Sequence, residues 1–155
     1  MEGTARAIFQ NKHAGKMVAG ADFRGRQMTA GKGWPLLAIV EDEPFMSELV
    51  SDMLSSSEID TEAFMLGGGL LKSTNLLKFQ TILLDLSLPD IDGFDLMDKL
   101  AADACGTPIV LMSGHDQGTL RAAQIYGKGI GLQVRATLSK PFSRGDLFAA
   151  LGLPA

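Results

Sequence analysis

The sequence is poor in cysteine and aromatic residues, and it has no apolar run long enough to cross a membrane. Its single cysteine, Cys105, has no partner in the chain for a disulfide and no second thiol for a metal site. We therefore interpret Cys105 as a small packing residue, which fits a reducing cytosol. No apolar stretch approaches the ~20 residues of a membrane-spanning helix, and the N-terminus lacks the apolar core of a secretory signal. These absences predict a cytoplasmic protein.

Length and charge divide the chain into two parts. The 155 residues suffice for one domain, which buries about two-thirds of the surface that its unfolded chain exposes. Residues 1–35 hold six Lys and Arg against two acids, whereas the other 120 hold eight against sixteen. Residues 1–34 show no sustained hydrophobic period, so we predict a basic, glycine-containing N-terminal extension that is disordered or loosely attached. The folded domain is expected over residues 35–153.

Other interpretations of the basic extension are weaker. An organelle transit peptide is disfavoured because the segment contains no serine. Binding to nucleic acid or to lipid head groups is also disfavoured, since six spread charges make a weak electrostatic footprint.

After Trp34, five short apolar segments alternate with stretches of helical periodicity. The predicted strands are residues 36–40, 59–65, 80–86, 108–112 and 134–138. The predicted helices are residues 44–55, 70–78, 93–104, 117–126 and 146–151. Runs such as "ILL" and "IVLM" are apolar at consecutive positions, as strands covered on both faces require. The alternation predicts an α/β fold, an open sandwich in which helices cover both faces of a parallel sheet.

Polar side chains follow these strands at the edge where open α/β folds bind their ligands. The residues at the strand ends are Glu41, Asp42, Glu43, Asp85, Ser113, Ser139 and Lys140. If the first and third strands are neighbours, Glu41, Asp42 and Asp85 converge on one small space. Carboxylates that close need either raised pKa values or a cation among them. Mg²⁺ suits such a site, because it takes one or two carboxylates together with waters and phosphate oxygens.

Lys140 adds a positive charge to this predicted cluster. A carboxylate can act as a nucleophile and form an acyl phosphate. In phosphoryl transfer the protein mainly positions groups and offsets charge. A metal ion, a lysine and a hydroxyl beside Asp85 would therefore equip that residue to accept a phosphoryl group.

Four motifs, "IVEDEP", "LLDLSLPDIDG", "PIVLMSG" and "LSKPF", occur in an order and spacing that resemble the receiver domain of two-component response regulators. The resemblance covers about residues 36–152. It implies a flavodoxin-like, doubly wound sandwich with a five-stranded parallel sheet of order 2-1-3-4-5, counted over the predicted strands.

The resemblance also implies a role for each site residue. Asp85 matches the phosphoacceptor, Asp42 the acid that binds Mg²⁺, and Glu41 the preceding acid, which usually helps through water. The backbone carbonyl of Ser87 would face the metal. The remaining matches are Ser113, whose hydroxyl would bond a phosphoryl oxygen, and Lys140, the family's lysine.

Two positions depart from the family pattern. Glu41 stands where an Asp is more common, and Thr137 stands where many receivers carry an aromatic residue that swings inward on activation. These departures leave open a second interpretation, a pseudo-receiver that acts as a protein-interaction module without phosphorylation. A haloacid-dehalogenase-like phosphatase is disfavoured, because it usually needs an acid two residues after the nucleophile, where this chain has Ser87.

The neighbouring polar residues have simpler expected roles. Asp90 and Asp92 are expected to make turn hydrogen bonds and to cap the helix that starts at Gly93. His115, beyond Ser113, could contact the phosphoryl group or water and tune the lifetime of the acyl phosphate, but the favoured interpretation is an exposed loop residue.

The resemblance implies a signalling phosphoacceptor rather than an enzyme, with at most self-catalysed phosphotransfer and autodephosphorylation. The expected phosphodonor is a histidine kinase or a histidine phosphotransfer protein, and the expected output is changed binding of a downstream protein. Because the sequence stops at Ala155, a stand-alone receiver with no DNA-binding domain is expected. No membrane partner is expected either, since no apolar stretch is long enough to span a bilayer. The face formed by helix 4, strand 5 and helix 5 could also support a homodimer.

Overall fold

The computed structural model describes residues 7–9, 35–103, 106–114 and 116–154. The strands in chain order are β1 (Ala7–Phe9), β2 (Leu36–Val40), β3 (Asp60–Phe64), β4 (Thr81–Asp85), β5 (Ile109–Ser113) and β6 (Val134–Ser139). The helices are α1 (Pro44–Met53), α2 (Gly67–Leu71), α3 (Gly93–Asp103), α4 (Gln117–Gly129) and α5 (Arg144–Leu151), with a 3₁₀ helix at Leu76–Lys78. Within these described ranges no helix is both long enough and apolar enough to span a bilayer.

All six strands form one sheet of order β1-β3-β2-β4-β5-β6. The five strands from β2 onward are parallel to one another. Counted from Leu36, their order is 2-1-3-4-5, which confirms the predicted doubly wound α/β fold. Strand β4 is buried over all five residues, as its run of consecutive apolar residues indicates.

The central strands supply a hydrophobic core to each face of the sheet. Ile82 and Leu84 of β4 belong to the core that also contains the buried leucines of α3 and α4. Leu83 points the other way, into the core that contains residues of α1 and α5. This alternation follows from the period of two in a strand, and it leaves the end of β4 at the carboxyl edge of the sheet.

The edge strand β1 is not predicted from the sequence. It pairs antiparallel with β3, with Ile8 opposite Glu62. The strand has three residues, whereas an apolar run must extend over about four to eight residues to be recognised as a strand. The predicted disorder of the rest of the extension, residues 1–6 and 10–34, lies outside the described residues.

The second helix also differs from its predicted range of 70–78. Helix α2 starts at Gly67 and ends at Leu71, and the 3₁₀ turn follows separately. The early start has a long-range cause, because the carboxylate of Asp90 accepts hydrogen bonds from the first amides of α2.

Candidate functional site

The adjacent strands β2 and β4 bring three acids together at the carboxyl edge of the sheet. Glu41 and Asp42 follow β2, and Asp85 ends β4. Each acid offers a carboxylate oxygen, and these oxygens all lie within 4.8 Å of one another. The structure therefore shows the convergence that the strand ends predict, in a geometry that could hold a metal ion.

Two of the three acids are buried and accept hydrogen bonds from the backbone. Glu41 is 1% exposed and Asp85 is 2% exposed, whereas Asp42 is half-buried. The Ser87 amide donates to Asp85 Oδ1 at 2.9 Å, and the Glu43 amide donates to Glu41 Oε1 at 3.2 Å. These bonds orient both carboxylates and partly offset the cost of removing them from water.

Lys140 lies between the two buried acids. Its ammonium donates to Asp85 Oδ2 at 2.9 Å and to Glu41 Oε2 at 2.5 Å. The Lys140 amide donates to the carbonyl of Ser113 at 2.9 Å, and a cis peptide bond joins Lys140 to Pro141. The lysine is therefore held from both ends, by its backbone and by its ion pairs.

The pKa values of this cluster reflect burial and mutual charge. Burial raises the pKa of Glu41 to about 7, the hydrogen bond from Lys140 opposes the rise, and the charge of Asp85 adds to it. Burial by itself lowers the pKa of Lys140, but the hydrogen bonds to Glu41 and Asp85 outweigh it, so this pKa lies above the ordinary 10.5. The ammonium contacts two acids of a cluster of three, which leaves the site attractive to a cation.

The remaining predicted site residues lie at the same edge. Ser113 is the last residue of β5, is buried, and comes one position after Met112, the register partner of Asp85. Ser87 is exposed in the loop that follows β4. Thr137 is half-buried on β6, and the expectation for His115 lies outside the described residues. The structure brings the predicted set to one place, and the individual roles stay predictions.

The two other acids of the β4–α3 loop have different roles. Asp92 caps α3 as predicted, because its Oδ1 accepts from the Phe94 amide at 2.8 Å. The prediction that Asp90 caps the same helix is wrong, since its carboxylate accepts from the amides of Gly67 and Gly68 in α2. Sequence reasoning missed this contact, and the signal that could have indicated it is the run of three glycines, residues 67–69, with which α2 begins.

A family model described as the response regulator receiver domain matches residues 37–152. The chain belongs to this family. It is therefore a receiver domain of the kind that acts in two-component signalling, where receivers serve as phosphoacceptors.

Curated relatives of this receiver include the cell cycle response regulator CtrA of Brucella ovis. The two are 26% identical over 113 residues, which make up 73% of this chain and 47% of the relative. CtrA of Brucella abortus matches to the same extent. The receiver thus spans about half the length of the curated relatives that it matches.

Solved structures show the same fold. A response regulator from Colwellia psychrerythraea is 26% identical, with a TM-score of 0.65, covering 77% of this chain and 95% of that one. The chemotaxis protein CheY4 of Vibrio cholerae is 21% identical, also with a TM-score of 0.65, covering 77% and 98%. The receiver described here is therefore similar to these proteins over nearly their whole lengths.

Proposed function

We propose that this receiver accepts a phosphoryl group on Asp85 from a phosphohistidine, presented by a histidine kinase or a histidine phosphotransfer protein. The observation that carries the proposal is the environment of Asp85, a buried carboxylate that shares one edge of the sheet with two acids and a lysine. An acid that served only to end a strand would not need two further acids and a lysine beside it. Exchange with such partners implies a cytoplasmic location.

The donor set fits Mg²⁺. Three carboxylates whose oxygens lie within 4.8 Å of one another offer the hard oxygen ligands that this ion prefers. Asp42 and Asp85 would bind it with the backbone carbonyl of Ser87, and Glu41 would assist. Mg²⁺ held by these residues would supply positive charge that offsets the charge of a phosphoryl group.

The protein's own groups account for the rest of the transfer. A carboxylate oxygen of Asp85 forms a bond to phosphorus, the bond from phosphorus to the donor's imidazole nitrogen breaks, and its electron pair stays on that nitrogen. Lys140, 2.9 Å from Asp85 Oδ2, can offset charge on the phosphoryl oxygens. Ser113 would donate its hydroxyl to one of them. Autodephosphorylation would then transfer the phosphoryl group to water, which returns the Asp85 carboxylate and releases inorganic phosphate.

Phosphorylation would change the binding of a downstream protein at the face formed by α4, β6 and α5. Ile125 on this face is 64% exposed. A groove of about 740 Å³ runs between α4 and β6, lined among others by Arg121, Gln124 and Thr137. Because Thr137 carries no ring to turn inward, the response would pass from Ser113 through its bond to the Lys140 amide into the loop after β6. The same face could support a homodimer.

The test is phosphorylation by a small phosphodonor. Incubation with acetyl phosphate and Mg²⁺ should add the mass of one phosphate to the intact protein, and omission of Mg²⁺ should prevent the gain. Asp85→Asn keeps the shape of the side chain but removes the nucleophile, so it should show no gain. An equal gain in Asp85→Asn would reject the assignment of Asp85.

A pseudo-receiver that binds proteins without phosphorylation is the second candidate. Glu41 reaches the ammonium of Lys140, so the lysine is already partly committed to an acid other than Asp85. This function predicts neither a mass gain with acetyl phosphate nor heat from Mg²⁺ binding in a calorimetric titration.

A further inference from the structure

One carboxylate bonds the β4–α3 loop to the first turn of α2. Asp90 Oδ1 accepts from the Gly67 amide and Asp90 Oδ2 accepts from the Gly68 amide, both at 3.0 Å. The first amides of a helix have no partner within the helix, and the residue before α2, Leu66, has no side chain that could cap it. The cap of α2 is therefore supplied from 22 residues further along the chain.

The glycine at the start of α2 permits this close approach. A Cβ atom at Gly67 would lie 2.5 Å from Ile91 Cγ2 and 3.0 Å from Leu96 Cδ2. The same atom would lie 3.4 Å from Leu88 Cδ1. The first turn of α2 thus rests directly on the loop, while the fully buried Leu70 anchors the same helix in the core.

The loop held in this way is the one that carries the phosphoacceptor. At its start, the Ser87 amide is bonded to Asp85 Oδ1. At its end, Asp92 is bonded to the Phe94 amide of α3. Both of these bonds are local, two residues apart in sequence. The bonds of Asp90, in contrast, fix the middle of the loop to another element, the helix α2.

We propose that Asp90 is a positioning residue, which holds the β4–α3 loop against α2 so that Asp85 keeps its place beside Glu41 and Lys140 and keeps its bond from the Ser87 amide. The inference rests on the proposed function, because the geometry it protects is that of the phosphoryl and Mg²⁺ site. Removing a group that hydrogen-bonds and orients metal ligands typically lowers metal affinity or activity about 10–100-fold.

Three variants test the inference. Asp90→Ala removes both bonds to α2 and should lower the rate of phosphorylation by acetyl phosphate, and the affinity for Mg²⁺, about tenfold. Asp90→Asn keeps one carbonyl oxygen as an acceptor and should restore part of both quantities. Asp95→Ala is the matched control, because it removes an exposed acid from the first turn of α3 without touching the bonds of Asp90 to α2, and both quantities should stay near their wild-type values.

Amide hydrogen exchange separates positioning from helix capping, and it needs no phosphorylation. In Asp90→Ala the exchange of the Gly67 and Gly68 amides should quicken, and that of the Ser87 amide should quicken with them. Faster exchange at the two glycines alone, with unchanged Ser87 exchange and unchanged Mg²⁺ affinity, would overturn the inference and leave Asp90 as a cap.

Failure of the proposed function gives a different pattern. If the wild-type protein takes no phosphate, the phosphoacceptor role is rejected. The exchange rate of the Ser87 amide in Asp90→Ala, compared with the wild type, then decides the role of Asp90 by itself. Circular dichroism checks that each variant is folded, and if Asp90→Ala is not, the smaller effect of Asp90→Asn on Ser87 exchange decides instead.

Discussion

At the scale of single residues, Lys140 supplies the positive charge of the site. Its ammonium contacts both buried acids, and only 20% of its side chain is exposed. Water could therefore take over only part of the charge compensation that Lys140 gives the two acids. Among the described residues, no other Lys or Arg forms an ion pair with these acids. The pairing was predictable, because the residue follows β6 at the edge where the acids meet.

Lys140→Ala should slow phosphorylation of Asp85 by about 10²-fold, since removing one group that offsets transition-state charge typically costs this much. The time course of mass gain with acetyl phosphate measures the rate. Lys128→Ala, at an exposed position in the last turn of α4, is the control and should react as the wild type does. A wild-type rate in Lys140→Ala would exclude the proposed role of the lysine.

Tyr126 provides a second measurement at this scale. Its hydroxyl donates to Asp98 Oδ1 at 2.6 Å, across from α4 to α3, and its ring packs edge-on against Phe94 at 5.2 Å. The hydrogen bond to Asp98, with smaller effects of burial and of nearby acidic charge, raises the pKa of Tyr126 above 10.0. The folded state thus holds this proton more tightly than the unfolded state, a contribution present below pH about 10 and lost as pH rises through the folded pKa.

Because the chain contains one tyrosine, a tyrosinate absorbance titration reports Tyr126 alone. We expect a pKa above 10.0 in the wild type and a lower value, closer to 10.0, in Asp98→Asn. Asp103→Asn, at the far end of α3, should leave the titration unchanged. Identical curves for wild type and Asp98→Asn would show that the bond between the two helices is absent in solution.

At the scale of elements, helix α5 begins where a capping box places it. Ser143 Oγ accepts from the Asp146 amide at 3.1 Å, and Asp146 Oδ2 accepts from the Ser143 amide at 2.9 Å. The box starts the helix at Arg144, two residues before the predicted residue 146. Residues of this kind are visible in the sequence, so this boundary could have been predicted more closely.

Ser143→Ala should lower the free energy of unfolding by about 1 kcal/mol, as the loss of a serine cap typically does. Denaturant unfolding at neutral pH measures the change, and Thr74→Ala, at an exposed turn position, is the control.

The hydrogen bond from the Ser143 amide lowers the pKa of Asp146 below 3.8. Its carboxylate therefore stabilises the fold above about pH 3.8, and this contribution is lost as pH falls through the lower folded value.

Asp146→Asn should accordingly destabilise the protein at neutral pH and have a smaller effect in acid. An effect of Asp146→Asn that does not change with pH would contradict the assignment of this charge to the cap.

Helix α2 shows where prediction from local sequence stops. Gly67 and Gly68 have the composition of a loop, and they become helical because a carboxylate from the next loop bonds their amides. The free energy that favours the first turn of α2 depends on how this turn packs against the β4–α3 loop. No local periodicity encodes that contact.

At the scale of the whole molecule, the consecutive apolar residues of β4 and β5 identify a sheet covered on both faces. The parallel order then places Asp85 and Ser113 at one edge. The fold and the position of the site could therefore be predicted from periodicity and strand ends. Strand β1 could not, because three residues carry too little pattern, and its pairing with β3 depends on the open edge of a sheet formed elsewhere in the chain.

The most direct test of the central claim is the location of the phosphate. After incubation with acetyl phosphate and Mg²⁺, reduction of the acyl phosphate with borohydride and peptide mapping should mark Asp85 alone, and Asp85→Asn should carry no mark. A mark on any other residue, or a wild-type protein that stays unmodified while folded, would contradict the account.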